Sequence, residues 1–500
     1  MKTTALIIGG GLGGLFAGAI LAKEGVGVTI LEKNHIIGGG LQSFRRMGLS
    51  FDTGMHVLAG MEEGQSIRRL CEWLGIYDKI RLHHIGPDII DTLFFGEDGK
   101  FYDIGKGREG FVDSLAKYFP DQRQNLENYV SAMYAITDNL DLFHLRPSQG
   151  FVQLHTDEAL MAADAFIAKY ISDPRLRGVV AYMNPLYSGR ADETPAYIHA
   201  IISVLYIQGP SRFIGGSLHF AKILQEFIEQ HGGQVLTGSP VVKINTMDRS
   251  ITSVETPDGR KWSADWYISD IHPCSLISLM DDPKALPKPF RNRMQEIPNS
   301  YSAFTLSIKL KKDSFRYLDH SMYFIDRYDE VWSFGDTSKK WPLGYLMMTP
   351  PEEGQGEFAE KIILTAPMLW NEVSRWADST VGHRPAEYLR WKEECAQILL
   401  DRMEMMFPGF RGCVEDYNTA SPLTVRDFYG VKEGAMCGFS KDCHNLLLSQ
   451  VTVVTKIHNL LLTGQNVTLH GFCGVPLTAI NTCDVILGHN YVVNKINGIE

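Results

Sequence analysis

The eight cysteines of this 500-residue chain include no C-x-x-C pair: Cys71, Cys274, Cys395, Cys413, Cys437, Cys443, Cys473 and Cys483 stand apart. That spacing excludes a zinc ribbon and argues against a disulfide framework; it reads as reduced intracellular thiols and predicts a cytoplasmic protein. His470 and Cys473 are three apart, but two ligands without a companion pair do not make a metal site, so no metal is expected. No basic run occurs and the formal net charge is −10, which excludes a nucleic-acid surface. After residue 22 no apolar stretch is long enough to span a bilayer. P-loop, G-x-S-x-G and H-E-x-x-H motifs are also missing, and with them phosphate-loop, serine-hydrolase and zinc-peptidase chemistry. What remains is an ordinary globular composition, 44% apolar, long enough for two or more structural units.

What is present is concentrated in residues 3–43. Ala5–Ile8 is a short apolar run of the kind that forms a parallel strand covered on both faces. Gly9, Gly11 and Gly14 then spell G-x-G-x-x-G, Leu15 to Lys23 reads as a helix, Val26–Leu31 as a second strand, and Glu32 ends it. The 18 residues from Gly14 to Glu32 are close to the roughly 20 that separate a dinucleotide-binding turn from its ribose acid. Gly9 suits the tight turn, Gly11 lets backbone approach a diphosphate, and Gly14 lets the helix lie close on the strand. The helix N-terminus offers N–H groups and a partial positive charge to the anion. Glu32 can accept from a ribose diol and disfavours a 2′-phosphate. Ala5–Ala22 is uncharged and superficially resembles a signal peptide or span, but six of its eighteen residues are glycines, each weakening an isolated helix by about 1 kcal/mol. Export would leave Glu32 and the second glycine turn without a purpose.

The residues that follow, Gly38-Gly39-Gly40-Leu41-Gln42-Ser43 and Gly48 to His56 with Phe51-Asp52-Thr53-Gly54, resemble the FAD-dependent amine oxidase and phytoene desaturase superfamily. Two further stretches carry the same resemblance. Gly215-Gly216-Ser217, the helical Leu218–Gln230, Gly232-Gly233 and the strands after it match a family pattern, with Phe220 where that pattern has leucine. Leu462-Thr463-Gly464-Gln465-Asn466, then His470-Gly471-Phe472-Cys473-Gly474-Val475-Pro476, matches the family's terminus. The carotenoid desaturase, carotenoid isomerase and retinol saturase branch is similar around Ser421-Pro422-Leu423-Thr424 and Gly434–Gly438, with Cys437 where tyrosine is usual.

The resemblance implies FAD as cofactor. Its implied contacts begin with Gly9, Gly11, Leu12 and Gly14, then Glu32 and Lys33. Gly39, Leu41 and Ser43 would lie along the cofactor, Gly54–His56 near its ring system, and Val241 beside its adenine. At the far end Gly464, Gln465, Gly474, Val475 and Pro476 would meet the ribityl chain and ring. There a helix N-terminus would stabilise the negative charge of reduced flavin. His56 and His470 are the candidates for proton transfer, since histidine titrates near neutrality.

The implied fold is α/β: a discontinuous Rossmann-like FAD-binding domain at 1–75, 210–285 and 415–500, with an inserted α+β substrate domain at 76–209 and 286–414. Ser66 and Ser217 are expected as N-caps of helices, and Ile251–Thr256 with Trp262–Ser269 as a hairpin about Asp258-Gly259. Ala196–Gln208 is the most apolar later segment, read either as a buried core helix or, functionally, as the wall of an apolar substrate tunnel or a patch of peripheral membrane contact. No second G-x-G-x-x-G announces a pyridine-nucleotide domain, so the electron partner is left open. The expected activity is FAD-dependent oxidoreduction at carbon–carbon bonds of an apolar polyene or isoprenoid lipid, by desaturation, saturation or isomerisation, with hydride exchanged at flavin N5. The alternatives are an amine or protoporphyrinogen oxidase on the same fold and a non-catalytic flavoprotein or lipid carrier.

Overall fold

In the computed structural model, which describes residues 3–54, 56–150 and 155–499, two large sheets divide the strands. The first is five-stranded and parallel, ordered Leu460–Leu462, Trp266–Ser269, Thr4–Ile8, Gly27–Leu31, Gln234–Leu236. Its two edges thus come from residues more than two hundred positions apart. The helix Leu12–Lys23 lies on it with Gly13 to Ala22 all buried. A β-carbon on Gly18 would sit 2.9 Å from Ile30 Cδ1 and 3.1 Å from Ile228 Cδ1, so the small residues are what let sheet and neighbouring helix close on this one. A helix apolar all round belongs in a core. That burial is why the segment imitates a membrane span, and no helix among the described residues is long and apolar enough to cross a membrane.

The second sheet has seven strands, ordered Val414–Ala420, Ser302–Leu310, Lys361–Met368, Gly344–Met348, Ser321–Ile325, Ile89–Phe95, Lys100–Gly105. It is antiparallel except where Ser321–Ile325 meets Ile89–Phe95. Phe304, Leu306, Met347 and Leu364 on one face pack on the long helix Ala386–Met406. The alternate residues on the other face, such as Tyr323, Ile325 and Leu346, point to a different core. The strand Val414–Ala420 straddles position 415 and pairs wholly in this sheet. Helices Gly107–Ala116, Arg123–Asp138, Ala163–Tyr170 and Ala196–Gln208 form the cover between the sheets.

Three local expectations need correction. The Asp258-Gly259 turn forms, with Gly259 at φ +81°, but only Lys261–Trp262 returns against Ser250–Glu255. Trp266–Ser269 leaves for the parallel sheet, because Tyr267 and Ile268 are apolar on both faces and wholly buried there. Ser66 is the first helical residue rather than the cap; Gln65 holds the cap position, and the Ser66 hydroxyl lies 3.6 Å from Cys473 Sγ. Ser217 does occupy the cap position of Leu218–Gln230, yet its hydroxyl donates to Leu41 O and Asp52 Oδ1, both at 3.0 Å. In each serine a tertiary partner outcompetes the local N–H groups.

Candidate active site

The glycine turn is built by its neighbours as much as by its own residues. Gly9 sits at φ +103°, a conformation that excludes other side chains, and its N–H donates to Leu31 O at 2.9 Å. Glu32 is buried and closes the turn: its carboxylate accepts from Gly10 N–H at 2.7 Å and Asn34 N–H at 2.8 Å. A carboxylate has about four acceptor positions, so two stay open for a diol. The second glycine turn hooks onto the first through Gly38 N–H and Gly10 O at 2.7 Å, and a β-carbon on Gly39 would stand 3.2 Å from Gly11 Cα. Lys33 donates to Asp427 O at 3.1 Å, and burial lowers its ammonium pKa.

A cavity of about 560 Å³ starts here and runs to the closing helix Gly471–Leu487. Gly9, Gly11, Leu12, Glu32 and Lys33 line its first end. Gly39, Leu41, His56 and Val241 follow. Gln465, His470, Gly474 and Val475 line the other end. Gly14, Ser43, Gly464 and Pro476 do not line it. Gly14 is pressed on the Gly9 carbonyl, and Ser43 donates to Asp52 Oδ1 at 2.7 Å. Gly464 lies against Gly13 and Asp270, and Pro476 is inside the helix. Met55, within the Gly54–His56 stretch, lies outside the described residues.

Asp270 is a site residue that no sequence motif singles out, at the end of the stretch Ala264–Asp270 that the family resemblance places beneath the cofactor. It follows the strand Trp266–Ser269 and lines the cavity. The N-cap of the first helix is Gly11, which has no side chain to cap with. The Asp270 carboxyl takes that part, accepting from the N–H groups of Gly14 and Gly11. A β-carbon on Gly11 would fall 2.6 Å from Asp270 Oδ2. Burial, with the Glu32 charge added, pushes its pKa up to about 7 despite those two donors. The available signal was an acid ending a buried strand, the same arrangement that marks Glu32.

Both histidines are neutral at physiological pH. Burial is the main reason that the His470 pKa is lowered to about 4, with the Lys441 charge acting the same way. Burial also lowers His56, against the opposing pull of Asp52. Each has one buried ring nitrogen without a protein partner, His56 Nδ1 and His470 Nε2, and Asn466 Oδ1, also of a lining residue, is unpartnered. A glycine-backed cradle, an acid at the end of the second strand and these unpaired polar atoms suit a flavin dinucleotide in chemistry and placement.

Beyond the turn the cavity runs between the seven-stranded sheet and the helix Ala196–Gln208. Ile198, Ile201, Ile202, Leu205 and Tyr206 of that helix form one wall. Tyr323, Leu346 and Pro367 of the sheet stand opposite. The helix is buried, and one of its faces lines the cavity. Among the described residues, the charged side chains of the lining are Glu32, Lys33 and Asp270, all at the glycine-turn end. No group of three or more metal-binding side chains is assembled among the described residues.

The flavin-containing amine oxidoreductase family matches residues 12–336, more than half of the chain, and the chain belongs to that family. It is an FAD-dependent oxidoreductase with a Rossmann-like cofactor-binding sheet. It is similar to the all-trans-retinol 13,14-reductase of Danio rerio, 25% identical over 537 residues that cover 97% of this chain and 86% of that protein. It is also similar to a chloroplastic prolycopene isomerase 2 of an Oncidium hybrid cultivar, 23% identical with 97% and 83% covered. Among solved structures, an oxidoreductase from Methanosarcina mazei shares the fold at a TM-score of 0.64 and 18% identity, covering 96% of this chain and 100% of that one.

Proposed function

We propose that this oxidoreductase acts on carbon–carbon bonds of an apolar polyene or isoprenoid lipid. The observation that carries the reading is the chamber: isoleucines of one helix face a sheet of apolar and aromatic residues, and its charges are confined to the dinucleotide end. A protonated amine entering the apolar end would meet no counter-charge among the described residues, which speaks against an amine substrate. The names of the retinol reductase and the prolycopene isomerase agree with a long conjugated substrate.

When bound, the flavin would exchange hydride with a substrate carbon and supply the redox chemistry. The chain's own residues bind and orient. Gly9, Gly11 and the first helix would receive the diphosphate, Glu32 the ribose, and the N-terminus of Gly471–Leu487 the ring. Ile198, Ile201 and Leu205 exclude water and hold the hydrocarbon against the ring. His56 and His470 are our candidates for the proton step, each neutral and each with one ring nitrogen free to give or take a proton. The helix Ala196–Gln208 is buried, so it does not itself offer the peripheral membrane contact expected of it from its apolar sequence.

The test is anaerobic single turnover. Flavin-loaded protein, reduced by dithionite or oxidised, is mixed with conjugated polyenes, and the flavin spectrum and product unsaturation are followed together. Flavin reoxidation or reduction matched by a change in double-bond count is expected for a saturase or desaturase, and a geometric isomer without net redox change for an isomerase. Flavin that responds only to amines would overturn the reading.

A further inference from the structure

The helix Pro422–Tyr429, which opens on the Ser421-Pro422-Leu423-Thr424 stretch, is held differently at its two ends. Its start follows directly on the strand Val414–Ala420 of the seven-stranded sheet and is buried. Ser421 caps it: the serine side chain accepts from the Thr424 N–H, and Thr424 Oγ1 accepts from the Ser421 N–H at 3.2 Å. The hydroxyls of Ser421 and Tyr388 are 2.7 Å apart, and Leu423 packs with Val373, Trp376 and Tyr388. The other end crosses to the glycine turns. Lys33 Nζ donates to Asp427 O and Asn34 Nδ2 to Phe428 O, both at 3.1 Å. Tyr429 Oη donates to Thr53 Oγ1 at 3.1 Å, and a β-carbon on Gly40 would stand 3.9 Å from the Tyr429 ring. Water reaches the Lys33 and Asn34 bonds, so this end has the weaker attachment and opens first.

What this end covers is the dinucleotide part of the cavity. Phe428, Tyr429, Gly430 and Val431 line it beside Glu32 and Lys33. Phe428 is 46% exposed although it lines the cavity, so little protein backs it and the helix end is a thin cover. Asp427, the acid of this segment, is not in the lining. Its carboxylate is paired with Arg384 and with Arg426 Nε, the latter at 2.8 Å. The cover therefore meets a diphosphate with backbone and aromatic rings and without a bare negative charge.

We propose that residues 427–431 are a latch over the dinucleotide site, closed by Lys33, Asn34 and Thr53 and opened for the flavin dinucleotide to enter or leave. The assignment rests on the seat for diphosphate and ribose proposed above and adds a route to it. It gives Lys33 a task besides cofactor contact, and it makes the rate of cofactor exchange depend on bonds between two protein groups, such as Asn34 Nδ2 to Phe428 O.

Flavin-free protein is mixed with FAD, and flavin-loaded protein with an excess of a flavin-binding scavenger protein, and flavin fluorescence gives the association and dissociation rates. Asn34→Ala and Tyr429→Phe each remove one bond of the latch. Each is expected to raise both rates about fivefold and to change the equilibrium affinity less than about twofold. A rise in dissociation alone would make the segment a contact and not a latch, and unchanged rates in both variants would overturn it as well. Amide exchange of the unaltered protein tests the latch without any variant. Residues 425–431 should exchange about fivefold faster without flavin than with it, while residues 414–420 change little. Equal protection of residues 425–431 in the two states overturns the latch. Glu32→Gln separates the latch from the seat beneath it: it should raise the dissociation rate and leave the association rate as it was. Affinity untouched by Glu32→Gln sinks the seat and the latch together, whereas the expected Glu32→Gln result with unaltered rates in the other two variants sinks the latch alone.

Discussion

The two ends of the cavity are made in opposite ways. The dinucleotide end is largely backbone: Gly9, Gly38 and Gly39 in left-handed conformations and N–H groups at a helix start, joined by the carboxyl groups of Glu32 and, from outside residues 9–39, Asp270. The chamber end is side chains, gathered from a helix at 196–208, strands at 321–325 and 344–348, and loops near 188, 301 and 437. A backbone cradle tolerates no added atom, whereas a side-chain chamber can be reshaped without touching the cofactor.

The comparison breaks most completely at Gly14. A β-carbon there overlaps the Gly9 carbonyl, so Gly14→Ala forces the first helix off its strand. The expected result is protein purified without flavin, read from the ratio of visible to ultraviolet absorbance. Full flavin content in this variant would mean that the turn is not the anchor. Ile201→Trp is the counterpart at the other end. It fills chamber volume and should leave the flavin in place while long-chain turnover falls roughly tenfold or more, because misplacement of the reacting atoms is costly. Loss of flavin from Ile201→Trp would erase the distinction between the two ends.

Asp270 sharpens the comparison through pH. Its folded pKa of about 7 lies above the ordinary 3.8, so the native state favours the protonated carboxyl. The associated stability is complete below the unfolded value and is lost as pH rises through the folded one. Asp270→Asn should therefore match the unaltered protein near pH 4, and its advantage in denaturant midpoint should grow up to about pH 7 and then level off. An advantage independent of pH would show that Asp270 does not titrate there. Asp91, also raised to about 7 by burial, should contribute a similar slope that Asp270→Asn leaves in place. The smallest effect belongs to Ser66→Ala. A lost N-cap costs about 1 kcal/mol. Ser66 caps nothing, so the change should stay within about 0.5 kcal/mol by denaturant unfolding.

Legibility followed locality. The strand, glycine turn, helix and acid of residues 4–32 could be read because each feature is a short-range rule of backbone conformation. The closing strand and helix were readable for the same reason, Leu460–Leu462 by its apolar run and Gly471–Leu487 by its glycines. The serines at 66 and 217 misled because an N-cap propensity carries no information about a competing partner four hundred or one hundred and sixty-five residues away. Trp266–Ser269 misled because a hairpin turn and a departure to another sheet look alike over ten residues.

The amino-acid order alone determined a glycine turn at Gly9–Gly14 and an acid at Glu32 closing it, since glycine conformations and helix ends are decided within a few bonds. Only the folded chain decided that Asp270 would cap the first helix and that one face of Ala196–Gln208 would become a wall. Those are contacts between residues more than a hundred positions apart. Their energies come from burial and excluded water, which exist only after the two sheets have closed.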